Sequence, residues 1–211
     1  MAIPVPDRLS GAARPGARAS ALVALAAIAL GGCSFDLGSF STTSEKEAPK
    51  VAPAVTSVAE AQTVTAHGQA LMRSGKTEEA LDDFNRAIEL DPHNAQALYA
   101  RGLIHQGEKQ HQLAIDDFTQ ANGLTPQLAE PLLARAISYL ALDKAKEAAV
   151  DLDEAVEADP QNGQIWSVRG QAYERLGDRT KAADSYSRAI GLRPRDEAAR
   201  NGLARVGGKP G

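Results

Sequence analysis

The chain has little of what catalytic and metal sites are usually built from: one cysteine, four histidines and one tryptophan in 211 residues. A single cysteine excludes an intramolecular disulfide and a cysteine-rich zinc site. The nearest two histidines, His105 and His111, are six apart across a helix-turn boundary, and His67 and His93 lie elsewhere. That spacing suits packing or solvent exposure better than zinc. No nucleophile with its base, no carboxylate pair in a cleft and no glycine-rich phosphate loop after a strand can be read, and strand alternation is absent. No enzyme activity, cofactor or metal is therefore expected. Aromatic content is 4%, and no lysine and arginine cluster is interleaved with aromatics, so nucleic acid is not an expected partner. The longest apolar run, Ala19 to Leu30, falls short of the roughly 20 residues that cross a bilayer.

What is present is a period. Pro92, Pro126, Pro160 and Pro194 stand 34 residues apart, and Ala80, Ala114, Ala148 and Ala182 keep the same interval, as do Ala87, Ala121, Ala155 and Ala189. Phe84, Phe118, Leu152 and Tyr186 fall between the two alanine series. A repeat of this length is one supersecondary unit that cannot bury its apolar face alone, so the units must stack. Each reads as helix A, turn, helix B and a proline stop. In the fourth unit Trp166, Gly170 and Tyr173 form one stripe, and Ala182, Tyr186, Ala189 and Ile190 form the other. Small residues mark where helix axes approach, and proline fixes the end of helix B.

In residue type and spacing together, these units resemble the tetratricopeptide repeat, a family of stacked helical hairpins. Four units match, at 61–94, 95–128, 129–162 and 163–196, and the resemblance implies an all-α TPR solenoid spanning 57–205. Residues 197–205 read as a polar capping helix and 206–211 as a flexible tail. Departures from the family pattern are Val64 and Leu71 for bulky aromatics, His105 at a tyrosine position, and Arg101, Arg135 and Arg169 (His67 in the first unit) for the leucine before the glycine. Asp83, Asp117, Asp151 and Asp184 recur on helix B, which points to Arg–Asp bridges between helices; arginines gripping an acidic ligand are the weaker alternative. Ser57 with Glu60 has capping-box spacing and places the start of the first helix there.

The amino terminus is of a different kind. Arg8, Arg14 and Arg18 precede the apolar run, and Gly31-Gly32-Cys33 follows it, as in a secretory signal peptide over 1–32. Leu30-Gly31-Gly32-Cys33 also resembles the lipobox of bacterial lipoproteins, which implies cleavage before Cys33 and lipidation of its sulfur; the alternative is secretion with a free thiol. The lack of aspartate at Ser34 implies the outer membrane, periplasmic face. Residues 33–56 are rich in Ser, Thr, Ala and Pro and read as a disordered tether. Loss of 1–32 takes three arginines and one aspartate from 23 basic and 27 acidic side chains, leaving a formal charge of −6. Lipid is then the expected means of membrane attachment.

In a stacked array the A helices line the concave side. After the packing stripe is assigned, the inner stripe of each A helix contains Gln69 and Met72, then Tyr99, Leu103 and Gln106, then Leu133, Ile137 and Leu140, then Gln171. The middle residues form an apolar patch of a kind monomers seldom expose without use, and the glutamines can hydrogen-bond a peptide backbone. A groove for an apolar partner segment is one reading; packing between adjacent A helices, or coverage by the tether, is the other. The lysine and asparagine set with which some TPR proteins hold a terminal carboxylate is missing. Resemblance to bacterial TPR lipoproteins of the NlpI, TadD and pilotin kind implies a lipid-anchored adaptor for envelope proteins or peptides. The alternatives are a self-assembling envelope protein, such as a homodimer, and an accessory to pilus or secretion assembly.

Overall fold

The computed structural model describes residues 53–207, with side chains from Thr56. The leader, Cys33 and most of the tether lie outside the described residues, as do residues 208–211. Among the described residues nine helices follow one another: α1 Pro53–Arg73, α2 Thr77–Leu90, α3 Ala95–Gly107, α4 His111–Leu124, α5 Ala129–Ala141, α6 Ala145–Ala158, α7 Gly163–Arg175, α8 Arg179–Leu192 and α9 Glu197–Arg205. No described helix is long and apolar enough to cross a membrane. The first helix starts at Pro53, not Ser57, so the capping-box expectation is corrected and residues 53–56 are helical. Proline suits a first helical position because its missing N–H has no helical acceptor there.

Three of the four hairpins are closed by a ring laid on a glycine: Phe84 on Gly68, Phe118 on Gly102 and Tyr186 on Gly170. A Cβ added to Gly102 would stand 2.6 Å from the fully buried Phe118 ring, and one added to Gly170 would stand 2.5 Å from the Tyr186 ring. The third hairpin solves the same problem with the opposite pair of sizes. Ala136 replaces the glycine and Leu152 the ring, and both are fully buried. Total volume at the crossing is thus conserved from repeat to repeat. The A-to-B turns need one left-handed residue. Gly75 and Gly177 supply it in the outer repeats, whereas Lys109 (φ 63°) and Asp143 (φ 57°) adopt it in the middle two.

The B-to-A loops share a second pattern. In Asp91-Pro-His-Asn94, the Asp91 carboxylate accepts the His93 N–H at 3.0 Å, and Asn94 caps α3 by accepting the Ala97 N–H at 3.0 Å. Asp159 and Asn162 do the same work ahead of α7, and Asp196 caps α9. Thr125-Pro-Gln-Leu128 departs from it. The Thr125 hydroxyl turns back to the Ala121 carbonyl, and Leu128 leaves α5 with no side-chain cap. Such a cap contributes about 1 kcal/mol.

The core falls into three clusters rather than one unbroken spine. One joins repeats 1 and 2 around Phe84, Ala97 and Ile104; one joins repeats 3 and 4 and α9 around Leu132, Ile165 and Tyr186. Between them lies a small cluster of Ala114, Phe118 and Ala134, against which Tyr99 and Leu103 pack. At the far end α9 covers Tyr186. The Tyr186 hydroxyl donates to Glu174 Oε2 at 2.6 Å, and Arg205 donates to both Glu174 oxygens at 2.6 and 2.9 Å.

Candidate functional site: the inner helix face and a loop edge

Each A helix touches the A helix of the next repeat, and α7 touches α9, while among the described residues no B helix touches another B helix. The array therefore bends with its A helices inside. On that side the expected stripe is only partly open. Gln69, Met72, Tyr99, Leu103, Gln106, Ile137 and Gln171 are half-buried, whereas Leu133 and Leu140 are 9% and 5% exposed. The apolar patch is correspondingly narrower than expected. The two leucines are lost to it because α5 is packed on several sides, against α4, α6, α3 and α7. Gln106 is also committed: its side-chain amide donates to the Ala134 carbonyl at 2.7 Å and to Ser138 Oγ at 2.8 Å, tying α3 to α5. Arg175 reaches back from α7 to the Leu140 carbonyl. Outward along the stripe, Gln62, Gln96, Glu130 and Gln164 are exposed.

The arginines are staples between helices. Arg101 makes a two-pronged bond to Asp117 at 3.0 and 2.7 Å on its own B helix, and its third nitrogen donates to Asn85 on the preceding B helix at 2.9 Å. Arg135 repeats this with Asp151, at 2.8 Å twice, and with Thr119 at 3.1 Å. The bond to Asp151 raises the Arg135 pKa further above its ordinary value, although burial opposes it. Arg169 reverses the arrangement. Its carboxylate is Asp153 of the preceding repeat, at 2.7 Å, and its own B helix offers Ser185, also at 2.7 Å. Asp184 points to solvent instead, which corrects that part of the sequence expectation. In the first repeat His67 meets Asp83 at 2.5 Å. These guanidinium groups are occupied, so they are not a free row for an acidic ligand. His105 lies between Gln110 and Asp117, and among the described residues no three His, Cys, Asp or Glu side chains gather as metal ligands.

The sequence reading missed a second surface. At the edge where loops enter the A helices, a groove of about 400 Å³ opens between the starts of α3 and α5, lined by Ala95, Gln96, Tyr99, Thr125, Leu128, Glu130 and Pro131. Leu128 is 49% exposed and Leu124, a turn earlier on the loop's approach, 37%. A second hollow of about 390 Å³ lies along the same loop and shares Thr125 and Leu128 with the first. Tyr99 lies edge-tilted on Phe118, with ring centroids 5.7 Å apart. Burial, and then the nearby charge of Glu130, raise its phenol pKa. The signal was present in the sequence as a break in the loop register: Asn94, Leu128, Asn162 and Asp196 occupy one repeat position.

Comparison with known proteins agrees with this architecture. One model of the TPR repeat matches residues 68–107, and two tetratricopeptide repeat models match 95–128 and 133–206. No curated protein sequence matches the chain. Among solved structures, MamA protein is similar at 18% identity and a TM-score of 0.65, over 69% of this chain and 80% of that one. The first TPR of Spaghetti (RPAP3), bound to the HSP90 peptide SRMEEVD, is similar at 27% identity and a TM-score of 0.53, over 55% and 92%. The Sgt2 TPR domain from Aspergillus fumigatus is similar at 28% and 0.51, over 53% and 76%. Repeated hairpins, their ring-on-glycine crossings and these matches together make the chain a tetratricopeptide repeat protein.

Proposed function

We propose that this protein is a lipid-anchored cell-envelope adaptor that holds partner proteins or peptides on the inner face of its A helices. The observation that carries the reading is that face itself: successive A helices side by side, with half-buried Met72, Tyr99, Leu103 and Ile137 between exposed glutamines. Such a surface offers apolar contact area and backbone partners together. The similar RPAP3 structure is bound to a peptide, which supports peptide binding as the use of the array. Its acidic peptide is a poor guide to the ligand here, because residues 57–162 carry 18 acidic against 8 basic side chains. Attachment rests on Leu30-Gly31-Gly32-Cys33 after a short apolar run, and the outer membrane, facing the periplasm, on Ser34.

Two measurements test it. Radiolabelled palmitate should enter the wild-type chain and fail to enter Cys33→Ser; equal labelling would remove the anchor. A photo-crosslinking residue at Gln69, Met72 or Gln171 should give partner adducts that the same residue at Val150, 66% exposed on α6, does not. Adducts from Val150 alone would place binding on the outer side and end the inner-face reading.

Self-association is a second reading with an observation of its own. Residues 163–207 carry 9 basic and 5 acidic side chains, so the array is acidic at one end and basic at the other. Head-to-tail pairing would then weaken with salt, and sedimentation at low and high ionic strength decides it.

A further inference from the structure

Two side-chain bonds that organise the loops at 91–94 and 159–162 are absent at 125–128, and an apolar side chain is shown to solvent instead. Among the described residues no other side chain caps the start of α5. Departures from local preference without an internal return concentrate at surfaces under functional selection. Leu128 separates two adjoining hollows, and the larger one has Tyr99, Ala95 and Pro131 in its walls. Its charge is one-sided. Glu130 is the single acidic or basic side chain lining either hollow, and the three repeats around the loop hold 17 acidic against 8 basic residues.

We propose that this edge groove docks a short segment of a partner protein in which a bulky apolar side chain is flanked by lysine or arginine. The apolar group lies between Tyr99 and Leu128, where it covers the leucine, and its cationic neighbours lie toward Glu130. The surrounding negative field speeds the approach of such a segment and repels an acidic one. The groove adjoins the inner face at Gln96, Tyr99 and Glu130, but Leu128 lies on the loop outside that stripe, and binding that depends on Leu128 and not on Met72 separates the two surfaces.

The purified full chain is titrated with a fluorescein-labelled peptide, Lys-Lys-Leu-Phe-Leu-Arg, and anisotropy is read. Two control peptides replace either the basic residues with glutamate or the apolar ones with serine and glycine. Binding should weaken about tenfold or more for each control and for Leu128→Asn, since a buried leucine contact is lost. The same Leu128→Asn variant should melt about 2–4 °C higher, because it regains the cap. A substitution that merely damaged the fold would lower the melting temperature. Glu130→Lys should weaken binding and flatten its salt dependence, while Met72→Glu on the inner face should leave it unchanged. Equal binding by Leu128→Asn, or by the glutamate peptide, overturns the proposal. A concentration-dependent dimer of the wild type that Leu128→Asn dissolves also overturns it, by showing that a second copy covers the groove.

Discussion

The loop between repeats 2 and 3 reads Thr125-Pro-Gln-Leu128 and the loop between repeats 3 and 4 reads Asp159-Pro-Gln-Asn162, so two side chains separate them. In the later loop both side chains accept backbone N–H groups, and the residues that follow feed a large shared core of repeats 3, 4 and α9. In the earlier loop neither does, and although Ala129 and Leu132 after it also enter that large core, the buried cluster joining α4 of repeat 2 to α5 of repeat 3 holds only Ala114, Phe118 and Ala134. A stacked array thus need not optimise every junction. Because stability in such arrays is approximately a sum of repeat and nearest-neighbour terms, one junction can be left weak and given over to recognition while its neighbours hold the fold.

Junctions of unequal strength should respond unequally to loss of their staples. Arg135→Ala strands Asp151, whose side chain is 7% exposed, and should destabilise by about 3 kcal/mol. Arg169→Ala leaves Asp153, 46% exposed and still bonded to the Tyr173 hydroxyl, and should cost about 1 kcal/mol. Urea unfolding of both variants gives the ratio, and equal losses would mean that carboxylate burial does not set it.

Next comes the crossing. Gly102→Ala drives a methyl against the Phe118 ring and should destabilise by about 2 kcal/mol. Adding Phe118→Leu recreates the Ala136 and Leu152 pair of repeat 3. A double-mutant cycle should then show favourable coupling of about 1 kcal/mol or more, and additive losses would refute the exchange of sizes.

Smaller still is the exchange between loops. Asn162→Leu imposes the 125–128 arrangement on the better junction and should lower stability by about 1 kcal/mol, read as a lower denaturation midpoint. An unchanged midpoint would mean that the missing cap at Leu128 is no sacrifice.

The smallest effect concerns pH at the well-packed end. Arg205 donors, helped by the Tyr186 hydroxyl and opposed by burial, hold the Glu174 carboxyl below its ordinary 4.5. A lowered native pKa contributes stability that is complete above 4.5 and fades as pH falls through the native value. The protection of the α9 amides, relative to their intrinsic exchange rate at each pH, should therefore fall on acidification below 4.5 in the wild type and stay level in Glu174→Gln.

Hairpin pairing was legible in the sequence because crossing volume must recur: a ring needs a glycine beneath it, and proline must stop each B helix. The inner stripe could be named from helical spacing, but its depth could not. Leu133 and Leu140 share a face with Ile137, and only the neighbours of α5 decide that two of the three are covered. The partner of each arginine was illegible for a similar reason. Residues 16 before and 16 after it both fall on B helices at its sides, so Arg169 can take Asp153 where Arg135 takes Asp151. The loop edge was legible in principle, at the repeat position where Leu128 stands among Asn94, Asn162 and Asp196, but the helix stripes draw attention away from loops.

The hook from Arg205 to Glu174 fixes how long the array can be. Glu174 belongs to the A helix of the last full hairpin, and the Tyr186 ring beside it is held between Gly170 and Gly202, one from α7 and one from α9. A further hairpin spliced in after Pro194 would push α9 one step outward, parting the hook and baring the ring, unless the insert brought its own glycine and its own arginine. Growth of this protein by duplication of a unit is thus blocked at this end by its lid.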